Sequence, residues 1–155
     1  MKTKLRAAHG LRIDKLQVAT QLLDRALQMY FDQAFFASIH LAGAAEELFG
    51  TYLKLWKAGQ PAADSYHDDA AGFLGFGLGE VPKAVSKELY GLIFHSRNRT
   101  KHLSPEGDHE ITFDPLLEAE TVLSRALANF YAVADVLGLR PTRRMYRFDR
   151  ERFSD

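Results

Sequence analysis

The sequence predicts an all-α fold: an up-and-down bundle of four main helices with a long irregular insertion between the second and the third. Three observations predict it. Apolar residues recur at spacings of three and four in four separate segments, none alternates as a half-buried strand would, and Pro, Gly and Asp cluster in the gaps. The chain has 155 residues, 46% of them hydrophobic and 26% charged, which suits one globular domain stable without disulfide or metal.

Ile13, Leu16, Thr20, Leu23, Leu27 and Tyr30 set the first helix, with Asp14, Lys15, Gln17, Asp24 and Arg25 mostly off its apolar face. A break near Asp32 leads to a second, strongly apolar helix from about Phe35 to Lys57, with a stripe of Leu41, Ala45, Leu48, Tyr52, Leu55 and Trp56. Periodicity then disappears from Ala58 to Val81, where Gly and Asp accumulate, so this stretch reads as a long loop. Its Phe73, Leu74, Phe76 and Leu78 are expected to dock on the body. Pro82 opens a third helix through Val85, Leu89, Leu92, Ile93 and Ser96 to about Lys101 or His102, and Ser104, Pro105 and Gly107 stop it. Asp114 and Pro115 are an N-cap and a first helical residue. The fourth helix runs from there through Leu116, Leu123, Leu127, Phe130, Ala134 and Leu137 to Gly138. Residues 1–139 thus read as a single helical domain and 140–155 as a basic tail rich in Arg and aromatic residues.

Composition excludes several functions. With no cysteine there is no thiol nucleophile, zinc ribbon or redox pair, and the chain suits a reducing, cytoplasmic compartment. The longest uncharged run, Gln33 to Ala45, is too short to span a bilayer, and no leader-like segment opens the chain, so no membrane role is expected. Formal net charge is zero but unevenly spread. Lys2, Lys4 and Arg6 give the first nine residues +3, residues 140–155 carry another +3, and the body between them carries −6. Basic ends of this kind suit an anionic partner or a solvated tail.

The most informative stretch is His95-Ser96-Arg97-Asn98-Arg99-Thr100-Lys101-His102. Arg offers a planar, permanent cation for phosphate oxygens, and His exchanges protons near neutral pH, so together they can act on a phosphodiester. On a continuous helix Arg97 and His102 would lie roughly 140° apart in azimuth, whereas Asn98 and His102 would share a face. One chain would therefore struggle to aim Arg97 and His102 at one atom unless the last turn unwinds. A two-fold pairing of helix ends would bring two copies around one groove.

These residues resemble the HEPN superfamily, compact helical bundles with an Arg-x4–6-His motif at the end of a late helix and often Asn, Asp or His after the Arg. Arg97-Asn98-Arg99-Thr100-Lys101-His102 fits the pattern, and the resemblance extends more loosely to Ala44-Ala45-Glu46-Glu47-Leu48 in the second helix. It implies metal-independent RNA cleavage at a homodimer cleft without a cofactor, possessed by toxins or defence effectors, with Arg97, Asn98 and His102 in the reaction. Other members have lost catalysis and bind RNA or protein partners, which is the alternative reading. One subgroup is paired with an antitoxin, a partner the resemblance also suggests for this chain. That subgroup carries Tyr two residues after the His, whereas this chain has Ser104, so regulation through such a Tyr is not expected.

Around the motif, Arg99 and Lys101 are candidate RNA contacts. Glu46 falls at the margin of the second helix's apolar arc beside Phe35, Ile39 and Leu53, while Glu47 lies with His40 and Lys54 on the solvated side. A carboxylate there needs either a cation, Arg97 being the natural candidate, or an outlet to water. Arg143 and Arg144, among the aromatic residues of 140–155, can contact phosphates and stack on unpaired bases, or can pack on a neighbouring subunit. No metal is expected, because His40, His67, His95 and His109 lack ligand spacing and no Glu-x-x-His pair occurs. Gly75-Phe76-Gly77-Leu78-Gly79 lacks the strand and the Lys of a phosphate loop, and neither a Gly-x-Ser-x-Gly elbow nor a Ser/His/Asp arrangement is visible.

Overall fold

The computed structural model describes residues 13–102 and 109–152, which are helical and contain no strand. Seven helices follow in chain order: α1 (Lys15–Phe31), α2 (Phe35–Trp56), α3 (Ala62–Phe73), α4 (Lys83–Ile93), α5 (His95–Lys101), α6 (Pro115–Leu137) and α7 (Arg143–Arg152). Lys2, Lys4 and Arg6 lie outside the described residues, as do Ser104, Pro105 and Gly107.

Asp14 starts α1 by accepting the Leu16 N–H at 2.9 Å, which satisfies one of the orphan donors of the first turn. A three-residue connection at 32–34 then folds α2 back against α1. At one end of this hairpin the Tyr30 and Phe35 rings lie 5.9 Å apart, and at the other the Tyr52 hydroxyl is 3.4 Å from Asp14 Oδ1. The two helices therefore run antiparallel. α6 lies against α2 with Phe36 beside Phe113, Glu46 beside Arg125 and Phe49 beside Phe130, a register that makes these two parallel. The expected signals bound α6: Asp114 Oδ1 accepts the Leu116 and Leu117 N–H groups, Pro115 follows, and Gly138 closes the helix at φ 67°.

The core lies among α1, α2 and α6, with Leu23, Leu27, Ile39, Phe49, Leu123 and Phe130 fully enclosed or nearly so. The stripe expected on α2 is rotated from the buried face. Its inward residues are Ile39, Ala42, Ala45, Phe49 and Leu53, while Leu55 and Trp56 are exposed. The face is set by α1 and α6, which both pack on α2 and enclose Ile39, Phe49 and Leu53 together with its alanines.

Two further departures concern segments expected to be irregular. Within 58–81 the chain forms α3, whose buried face is Ala63, His67 and Ala71 at four-residue spacing. Alanine is the strongest helix former but a weak marker of an apolar stripe, so the helix is hidden from a pattern built on large side chains. Of the four apolar residues expected to dock part of this stretch on the body, Phe73, Leu74 and Leu78 are exposed and Phe76 is half-buried. Residues 143–152, expected as part of a tail, form α7, which buries Met145 and Phe148 in the same core as α1, α2 and α6. Arg144 to Asp24 at 2.6 Å, Tyr131 to Asp149, and the Arg147 guanidinium 3.8 Å from the Phe31 ring centre hold it.

The third expected helix is two, α4 and α5, meeting at Phe94 (φ −100°, ψ 12°). Hydrogen bonding continues across the joint, Phe94 N–H to Tyr90 C=O and Asn98 N–H to Phe94 C=O, each 3.0 Å. α4 pairs antiparallel with α3, and α5 packs on α2. Among the described residues no helix is long and apolar enough to cross a membrane.

Candidate functional site

Arg97, Asn98, Arg99 and Lys101 lie on α5, and His102 is its C-cap. The helix ends at Lys101, so His102 leaves the helical wheel with extended backbone (φ −119°, ψ 132°), its N–H still bonded to the Asn98 carbonyl at 3.1 Å. Asn98, Lys101 and His102 are exposed, and Arg99 donates to the Glu110 carbonyl at 3.3 Å.

Arg97 turns inward. Its guanidinium carbon sits 4.5 Å from the Phe94 ring centre, Nη1 is 3.4 Å from the Gly43 carbonyl, and Glu47 lies 3.8 Å away. The last two contacts are long, so the guanidinium retains hydrogen-bonding capacity for a further acceptor. Its passage over α2 needs the glycine: a Cβ at position 43 would lie 2.5 Å from Arg97 Cδ. Beside it, Ser96 Oγ and Arg97 Nε are buried with no hydrogen-bond partner among the described residues.

Arg97 and Phe94 form one wall of a cleft of about 290 Å³, which Glu46, Glu47, Lys54, Asp64 and Asn129 also line. Lys54 and Asp64 pair across its rim at 2.9 Å, so cations and anions alternate around the opening. His102 is not among the residues lining this cleft.

Glu46 is buried, one of the two outcomes its place at the margin of the apolar arc left open, but its partner differs from the expected one. Arg125 of α6, not Arg97, grips it at 2.7 Å through Nε and 3.3 Å through Nη2, both side chains being almost wholly enclosed. Arg97 emerges one turn nearer the start of α2, over Gly43, and from there meets Glu47. Asn129, one turn beyond Arg125, donates to the Glu46 carbonyl at 3.1 Å and accepts the Ala62 N–H at 2.7 Å, thereby fixing the start of α3. Sequence reasoning missed Arg125 and Asn129. The available signal was their spacing, three and seven residues after Val122, on the face that carries the core of α6.

Arg144 is engaged by Asp24, and Arg143 is exposed. Among the described residues no group of three or more His, Asp or Glu is arranged to hold a metal ion. No protein-family model, curated protein or solved structure matches the chain.

Proposed function

We propose that this chain is a metal-independent endoribonuclease of HEPN type, acting in the cytoplasm at a homodimer cleft as a toxin or defence effector. The four members of its up-and-down bundle are α1, α2, the α4–α5 pair and α6. The observation that carries the reading is the Arg97-Asn98-x3-His102 motif at the end of α5, with Arg97 stacked on Phe94 and only loosely held by oxygen acceptors. A phosphate oxygen would be a stronger partner than either the Gly43 carbonyl or Glu47 at those distances.

Within one protomer Arg97 faces α2 while His102 is exposed at the end of α5. A two-fold pairing that sets Arg97 of one protomer against His102 of the other completes the pair at two symmetry-related positions in the shared cleft. There the 2′-hydroxyl of RNA attacks the adjacent phosphorus, His102 transfers the proton, and Arg97 stabilises charge on the phosphate oxygens. The leaving 5′-oxygen takes up a proton, giving a 5′-hydroxyl and a 2′,3′-cyclic phosphate. Asn98 positions the phosphate, Arg99, Lys101, Arg143 and Arg144 add cationic contacts, and Glu46 supports the α2 wall through Arg125.

The test is cleavage of a mixed-sequence RNA in excess chelator. Wild type yields cyclic phosphate ends, and Arg97→Ala or His102→Ala reduces the rate by at least about 10²-fold. Activity that vanishes with chelator, or survives both substitutions, overturns the mechanism.

A second reading, a non-catalytic module that binds RNA or protein, is favoured by one observation: Phe94, Gly43 and Glu47 already engage Arg97 within a single chain. It predicts no cleavage and RNA binding that weakens steeply with added salt.

A further inference from the structure

The antiparallel pairing of α3 with α4 brings Ser86 of α4 to His67 and Asp68, which are neighbours on α3. His67 Nε2 lies 2.9 Å from Ser86 Oγ, and His67 Nδ1 lies 3.1 Å from Asp68 Oδ1. The imidazole is buried and stacked on Tyr90, ring centres 4.4 Å apart and planes 15° from parallel. Tyr90 is itself held by donating its hydroxyl to Asp64 at 2.8 Å. Gln60 donates to the second oxygen of Asp68 at 2.6 Å, and this bond, with that from His67, holds the carboxyl below its ordinary range.

The tautomer follows from this network. An ionised Asp68 only accepts, so the proton of a neutral His67 sits on Nδ1, which leaves the Nε2 lone pair facing the Ser86 hydroxyl. That is the order of roles in a nucleophilic triad, in which the carboxylate orients the imidazole and the imidazole takes the hydroxyl proton.

From these distances we infer that Ser86, His67 and Asp68 form a second catalytic site, an acyl-transfer triad acting on carboxylic esters with an apolar acyl group. Ser86 is half-buried in the first turn of α4, between exposed Lys83 and Ala84 on one side and exposed Lys87 and Glu88 on the other. Pro82 gives that turn no side-chain cap, so the amides of Lys83, Ala84 and Val85 have no intrahelical acceptor at the end toward which helical side chains lean. They are the donors available to an oxyanion. The antiparallel register puts the end of α3 beside the start of α4, where the exposed Phe73 and Leu74 that close α3, and Leu78 in the connection, are the apolar surface available to the acyl chain.

The chemistry closes without a further reagent. Ser86 Oγ bonds to the ester carbonyl carbon as its proton passes to His67 Nε2. The carbon–alkoxy bond then breaks, and the alcohol departs with that proton. Water, deprotonated by His67, releases the acid and restores Ser86.

The test incubates the full chain with a fluorescent fluorophosphonate, which loses fluoride to an activated serine, and maps the adduct by peptide mass. In parallel, p-nitrophenyl butyrate hydrolysis is followed for wild type, Ser86→Ala and Asp68→Asn. The expected result is an adduct on Ser86, loss of hydrolysis by at least about 10²-fold in Ser86→Ala, and a fall of about tenfold or more in Asp68→Asn. The adduct is read on the folded wild type, so an unstable variant leaves the test decisive. No adduct on Ser86, or hydrolysis undiminished in Ser86→Ala, overturns the triad and leaves the cluster as a polar clasp between α3 and α4. Neither result depends on RNA cleavage at Arg97 and His102.

Discussion

Glu46 and Arg125 are joined by two hydrogen bonds where both side chains are almost wholly enclosed. An ion pair of this kind gains its attraction at the cost of desolvating both charges, so the pair adds little net stability while either partner alone is heavily penalised. Arg125→Ala should therefore lower unfolding free energy by about 3–5 kcal/mol, and Glu46→Leu with Arg125→Met should recover most of it. Urea denaturation of the three proteins measures this, and a double variant no better than the single one would refute it. The marginal position of Glu46 was legible because its place on the helical wheel depends on α2 alone. Its partner was not, because that depends on how α6 is rotated against α2. The same reason kept Arg97 from being placed: its position over Gly43 depends on the α2–α5 approach, and no local spacing records that approach.

Among the elements, α1 and α6 were readable because large apolar residues mark their faces at helical period, whereas α2, apolar nearly all round, was readable in extent but not in which face turns inward. α3 was not, since its inward face is two alanines and a histidine, and α7 was not, since only Met145 and Phe148 of its ten residues turn inward. The division at Phe94 carries no proline signal, though Gly91 lies in the last turn of α4, and the ring lies near two guanidiniums, Arg97 at 4.5 Å and Arg125 at 5.8 Å. The contact of α2 with α5 is the one on which the proposed RNA chemistry rests, and Gly43 is where the Arg97 side chain crosses α2. Gly43→Ala adds helix propensity worth up to about 1 kcal/mol to α2 while evicting the Arg97 side chain. The expected outcome is a protein whose circular dichroism and melting remain close to wild type, with RNA cleavage reduced at least about tenfold. A variant that cleaves at the wild-type rate would show that the seat of Arg97 over α2 is irrelevant to activity.

For the whole molecule, the described helices place the motif-bearing α5 on the outer side of α2, with α7 completing the core beside α1. In the proposed mechanism, the arginine turned toward the body and the histidine exposed at the helix end are brought together by a second protomer. Subunit mixing tests this most directly. Arg97→Ala and His102→Ala proteins, each inactive alone, are unfolded together, refolded, and assayed for RNA cleavage in excess chelator. Random pairing makes half of the dimers mixed, and each mixed dimer keeps one of its two Arg97–His102 pairs intact. The account predicts recovery of about a quarter of wild-type activity. A refolded mixture as inactive as its components, beside an active refolded wild type, would contradict it.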